Sequence, residues 1–264
     1  MRPIKEPVIY RIEQTSFVVD VEKQVLRQTD EQLNEISFIN QMSDRGDHYL
    51  LAWDPATKNA AIDPAHGMTV VVPPLSRLDP EGMSQMYGVP LSELAGRTDF
   101  EIVVDPDALN KRRQGILPEI DIAGERFIID LKLQELRHAA NFSPVISLKS
   151  FELTDDGWHY EAFYEPVMKQ VVDLDLKLTE FPNGIVKIKI PNEIGLDPVA
   201  TARAYGMDER ALLRRYPIPK ELKAEVIPLS ETQVPRLIRQ NREQLRREHE
   251  AIKHRHQPGK QPRL

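Results

Sequence analysis

The sequence predicts an α+β, β-rich fold made of two tandem copies of one degenerate module, followed by a C-terminal helical tail. Three observations carry this expectation. An internal repeat runs in order along the chain, alternating apolar and polar runs are separated by turn residues, and Asp-Pro helix starts recur in both halves. Each module reads as β-hairpins or a meander forming a small barrel or sandwich, closed by a short αα-hairpin.

The repeat is visible in three blocks. SFVVDVEKQVLR from Ser16 faces RFIIDLKLQELR from Arg126. GDHYLLAWDP from Gly46 faces GWHYEAFYEP from Gly157, and LDPEGMSQMYGVPLSEL from Leu78 faces LDPVATARAYGMDERAL from Leu196. The blocks share 15 identities in 39 positions, at offsets of 110, 111 and 118. Chance gives roughly one match in 15 at ordinary residue frequencies. The modules span about 7–105 and 117–228, which places domain boundaries at 1–110, 111–228 and 229–264.

The elements follow in chain order. Residues 8–21 alternate around Glu13-Gln14-Thr15, and residues 118–133 alternate around Ala123-Gly124-Glu125, so each reads as a hairpin. Next, residues 34–42 and 145–153 read as strands. Turns at Ser43–Asp47 and Thr154–Gly157 lead from them into HYLLAW and WHYEAFY. A third hairpin is expected where VVDLDLKL and IVKIKI flank Phe181-Pro182-Asn183-Gly184; its counterpart over residues 60–72 is weaker. Asp79-Pro80 and Asp197-Pro198 each start a helix, with the cap at Asp and Pro where its missing N–H is harmless. Gly88 and Gly206 end these helices in the left-handed conformation. A second helix follows each, near Pro90–Ala95 and from Asp208 to Tyr216. EIVV from Glu101 and AEVI from Ala224 read as closing strands, and residues 105–115 as a polar, basic linker. A last helix spans about 232–253, capped by Thr232, with a frayed tail after His254.

Composition narrows the function classes. Hydrophobic residues are 41% and charged residues 29%, enough apolar material for a core. The absence of cysteine removes disulfides, thiol nucleophiles and thiolate metal sites. No apolar run reaches membrane-span length, and the N-terminus lacks the apolar stretch of a secretion signal. A cytoplasmic protein without membrane contact is the expectation. Residues 236–264 carry nine Lys or Arg and three Glu, net +6, against −12 for the rest. Such asymmetry points to an anionic partner or to the acidic body itself.

Candidate sites are few. His48 beside Asp47, and His159 beside Asp156, are candidates for acid–base work, yet each is also what an Asp-rich hairpin turn produces. Asp20, Gln24 and Arg27 recur as Asp130, Gln134 and Arg137, which suggests a structural pairing within each module. Phosphate-loop, dinucleotide, zinc-protease, nucleophile-elbow and EF-hand motifs are missing, and no metal or cofactor is expected. The second helix pair resembles a helix-turn-helix in the spacing of Ala202, Gly206 and Leu212. Arg210, Arg214 and Arg215, with Arg239, Arg242, Arg246 and Arg247 of the tail, would be its nucleic-acid contacts. Val234, Ile238, Leu245 and Ile252 form one apolar stripe on the last helix, a docking face for another protein or a second copy. The leading expectation is a non-enzymatic interaction or scaffold protein of the kind that forms part of a larger assembly. A nucleic-acid-binding protein is the second reading. An unfamiliar hydrolase using the His–Asp turns is the third.

Overall fold

The computed structural model describes residues 6–255. The chain opens as an antiparallel meander of β1 (Ile9–Ile12), β2 (Thr15–Asp20), β3 (Val25–Gln28) and β4 (Glu35–Ser37), paired in that order. Phe17, Val19, Leu26 and Ile36 point from it into the core. A second sheet centres on β6 (Tyr49–Asp54), which pairs with β5 (Met42–Asp44), β7 (Asn59–Ala60) and β8 (Met68–Val72). Edge-to-face contacts of Phe17 with Trp53 and Phe38 with Tyr49 join this sheet to the meander and the turn that leaves it. Five short helices follow: α1 (Leu75–Leu78), α2 (Pro80–Tyr87), α3 (Leu91–Leu94), α4 (Asp99–Val103) and α5 (Pro106–Arg113).

The second half begins with another meander: β9 (Glu119–Ile122), β10 (Glu125–Asp130), β11 (Glu135–His138) and β12 (Val145–Ser147). Ala123 and Gly124, with φ of 54° and 91°, supply the two left-handed positions its first turn requires. A further sheet runs β13 (Glu152–Leu153), β14 (His159–Glu165), β16 (Val186–Pro191) and β17 (Glu225–Ile227), with β15 (Gln170–Val171) on β14. Between β16 and β17 lie α6 (Glu193–Leu196), α7 (Pro198–Tyr205) and α8 (Glu209–Arg215). Side chains of both sheets, among them Phe127, Ile129, Tyr164 and Ile188, share one buried core. The chain ends in α9 (Val234–Arg255).

The helix starts behave as the sequence predicts. Asp79 accepts from Gly82 N, Asp197 from Val199 N and Ala200 N, and Asp208 from Ala211 N. Gly88 and Gly206 end α2 and α7 with φ of 67° and 63°. Arg27 reaches Asp20 at 2.7 Å, and Arg137 reaches Asp130 at 2.7 Å, so the expected pairings exist in both halves.

Several expectations are corrected. No sheet among the described residues closes into a barrel; all four are open. The strand expected from Glu101 is α4. Thr98 Oγ1 accepts from Glu101 N while Glu101 Oε2 accepts from Thr98 N, a capping box that nucleates a helix. The linker is largely α5, capped by Asp105 with Pro106 at the first position. Residues 34–42 split at a turn after Ser37, so β4 and β5 join different sheets, and residues 145–153 split likewise around a single 3-10 turn. The third hairpin is absent. β16 pairs with β14, Ala162 opposite Ile188, and only Gln170–Val171 of the preceding run is strand. Leu174 and Leu178 pack instead against Leu229, Val234 and Ile238.

By packing, the chain divides into two compact units that differ from the boundaries at 110 and 228. The first comprises the residues up to Gln114 together with Ala202–Ile218; the second comprises Gly115–Thr201 and the residues from Pro219 on. The helix pair of the second half is therefore divided. Most of it belongs to the first unit rather than closing its own sheet. The expected tail lies outside the described residues, apart from the last residue of α9.

Candidate functional site

The His–Asp turns are local. His48 Nδ1 lies 2.7 Å from Asp47 Oδ1, and His159 Nδ1 lies 3.2 Å from Asp156 Oδ2. Asp156 also accepts from Thr154 Oγ1 and Trp158 N. These bonds, Thr154 first, hold its carboxyl down to about 2. Asp44 takes Gly46 N at 2.8 Å and two arginines. Each turn thus unites one imidazole with one carboxylate. Among the described residues no three His, Asp or Glu side chains gather where a metal ion would sit.

Of the three helix-pair arginines, Arg214 turns inward while Arg210 and Arg215 stay exposed. Arg214 is 3% exposed. Its Nη1 donates to Asp44 Oδ2 at 3.0 Å and its Nε to Gln24 Oε1 at 3.3 Å; its Nη2 lies 3.6 Å from Asp99 Oδ2. Its guanidinium carbon stands 4.8 Å from the Tyr49 ring centroid. Asp99, fully buried, accepts from Tyr49 OH, Leu75 N and Ser76 N at 2.8–2.9 Å. Burial drives the Tyr49 hydroxyl far above its ordinary range. Arg210 is exposed but pairs with Asp44 and lies over Phe100, while Arg215 lies over Tyr216. A nucleic-acid reader presents such side chains to solvent. Arg214 is instead the centre of a buried ion cluster, which corrects its assignment as a surface contact. Sequence reasoning missed Asp99, and no local signal marks it.

The last helix has two different halves. Val234 and Ile238, 4% and 5% exposed, pack against Phe163, Leu174, Leu178 and Ile185. Asn241 Nδ2 donates to the carbonyls of Leu176 and Leu178, and Arg242 Nε to that of Thr179. These are carbonyls that a strand ladder would otherwise have used. Beyond Arg242 the stripe is about half-exposed, Leu245 at 44% and Ile252 at 54%. Ile238, Leu245 and Ile252 follow one another at seven-residue intervals, which keeps them on one face. Glu243 pairs with Arg246 at 3.2 Å and Arg247 at 3.1 Å, and Arg239 is exposed. Of the four stripe residues, the structure makes two part of the unit's own core and leaves two outside.

No protein-family model, no curated protein and no solved structure matches this chain. The site must therefore be read from its own chemistry.

Two further features fall outside the sequence expectations. His138, buried, sits with Nε2 at 2.9 Å from Glu125 Oε2 and 3.1 Å from Lys169 Nζ, and with Nδ1 at 3.0 Å from Asn141 Oδ1. His138 first, then Lys169, lowers the Glu125 carboxyl. A cleft of about 490 Å³ in the first unit is lined by Asp47, Ser76, Arg77, Arg97 and Thr98 together with glycine and apolar residues. Arg97 is held by Glu93 at 3.2 Å, and Asp47 by His48. Neither feature aligns a nucleophile with a base. Among the described residues no helix is long and apolar enough to cross a membrane.

Proposed function

We propose that this chain is a non-enzymatic interaction protein whose docking element is the distal half of α9. One observation carries the reading. The helix is anchored on its own unit through Val234, Ile238, Asn241 and Arg242, then continues with the rest of its apolar stripe, Leu245 first, half-exposed. A helix that frays freely gains little from such anchoring; a rigid root with an apolar tip is how a helix is presented to a groove on a partner. The ion pairs Glu243–Arg246 and Glu243–Arg247 make its surface mixed in charge, which suits a protein partner better than a phosphate backbone.

The scaffold on which this element is mounted is read as an internal duplication. Phe17 opposes Gln28 and Phe127 opposes His138, each pair displaced by the same 110 residues. Phe38 N donates to Gln24 O and Leu148 N to Gln134 O, again 110 residues apart. Gln24 and Gln134 both take left-handed φ, 53° and 56°. Shared strand order, register and backbone strain in two meanders support one ancestral module used twice.

The test is a photo-crosslinking residue at position 245 of the full chain, expressed in its native cells. A discrete protein adduct, lost when Ile252→Glu is added, is expected. Adducts to nucleic acid would shift the assignment to a nucleic-acid-binding protein, and no adduct at all overturns the reading.

A further inference from the structure

We infer that the distal half of α9 docks on a second copy of this chain, at the acidic β13–β14 edge of the second unit. This rests on the interaction reading above and adds the identity of the partner. The first argument is charge. Residues 115–201 and 219–233 carry 18 acidic and ten basic side chains, net −8, whereas residues 234–255 carry seven basic and three acidic, net +4. One unit thus bears both a strongly acidic body and a basic helix, and the helix leaves its anchor before its apolar stripe is covered.

The second argument is local. β13 is the outer strand of its sheet, so one side of its backbone has no ladder partner among the described residues. Glu152 stands directly opposite Glu161 in the register, a like-charge pair that disfavours the sheet. Lys187 neutralises Glu161 at 2.6 Å, while Glu152 is exposed and makes no ion pair among the described residues. Asp155 is exposed one turn away, and Leu153 and Trp158 are exposed large apolar side chains on the same hairpin. Arg246 and Arg247 beside Leu245 match this edge in both respects: cations for Glu152 and Asp155, an apolar anchor for Leu153 and Trp158. Such a contact joins two different surfaces, so it propagates head to tail and its extent rises with concentration.

The experiment is sedimentation equilibrium of the full chain at low and high salt, with charge reversals on each side. Reversible self-association that weakens with salt is expected. Arg246→Glu with Arg247→Glu, or Glu152→Arg with Asp155→Arg, should each weaken it at least about tenfold, the equivalent of about 1.4 kcal/mol. Mixing the two variants should restore association, because the reversed helix of one meets the reversed edge of the other. All positions changed are exposed, and unaltered circular dichroism checks that the variants fold. A chain that stays monomeric at every concentration and at low salt overturns the inference. So does association that the Glu152 and Asp155 changes leave intact. If the purified chain is monomeric but the residue-245 crosslinker still captures a different protein in cells, the second copy is wrong and the interaction reading stands. If neither occurs, both fall.

Discussion

Replacing Arg214 by Met tests the buried ion cluster of the first unit most directly. Methionine keeps an unbranched stem but removes the charge and all five donors. Asp44 would keep Arg210 at 3.2 Å and Gly46 N at 2.8 Å, and it is partly exposed, so its loss is partial. Asp99 would keep three neutral donors but lose the only cation within 4 Å among the described residues, while 1% exposed. Gln24 would lose the Nε donor to its side-chain oxygen. Breaking a buried pair commonly costs about 3–5 kcal/mol, and the donors left on both carboxylates place this case near the lower end, about 3 kcal/mol. The two tryptophans allow the unit to be read separately. Trp53 lies buried in the first unit and Trp158 stands exposed in the second, so a Trp158→Phe background makes urea unfolding report on Trp53 alone. With a slope of about 2 kcal/mol per molar, the midpoint should fall by about 1.5 M. Asp99→Asn combined with Arg214→Met should cost less than the sum of the two, by at least about 1 kcal/mol. A midpoint shift below about 0.5 M, or strict additivity, would refute the account of Arg214 as the charge partner of Asp99.

Two other outcomes follow from the second unit. Tyr164 is fully buried and its hydroxyl has no hydrogen-bond partner among the described residues; burial, aided by Glu125, pushes its pKa up to about 12. Below pH 10 both folded and unfolded chains keep this proton; between 10 and about 12 only the unfolded chain releases it, so stability should fall across that window. Tyr164→Phe should flatten the alkaline loss and raise stability near neutrality by about 1 kcal/mol, and a clear loss of stability on calorimetry would show that the hydroxyl is bonded. Ile238→Ala should cost about 2–4 kcal/mol by opening the anchor of α9, whereas Leu245→Ala, or ending the chain after Arg242, should change the stability of the purified monomer by less than about 0.5 kcal/mol. Equal effects of the two substitutions would remove the distinction between the halves of α9.

The sequence by itself determined what neighbouring residues decide. The caps at Asp79, Asp197 and Asp208, the left-handed Gly88 and Gly206, the turn at Ala123-Gly124 and the Asp20–Arg27 and Asp130–Arg137 pairs were all legible, because each is a hydrogen bond or a φ requirement within a few residues. The helices α4 and α5 were legible too, in Thr98-x-x-Glu101 and Asp105-Pro106, but the apolar run EIVV and the polar composition of the linker pointed the other way. Tertiary structure alone decided the rest. An alternating strand such as β16 pairs equally well with any alternating neighbour, so only the packed core selects β14, and the loop that lost that pairing gives its Leu176 and Leu178 carbonyls to Asn241. Likewise Arg214 reads as a surface cation in its own helix; that it is buried against Asp44 and Gln24, 170 and 190 residues away, is settled by non-local contact. The apolar stripe of α9 is continuous in sequence, and it divides into anchor and half-exposed tip because the buried cluster with Phe163, Leu174, Leu178 and Ile185 takes in Val234 and Ile238 but not Leu245 or Ile252. Local bonding is written in spacing, whereas which surface meets which depends on the shape and charge of the whole assembled unit.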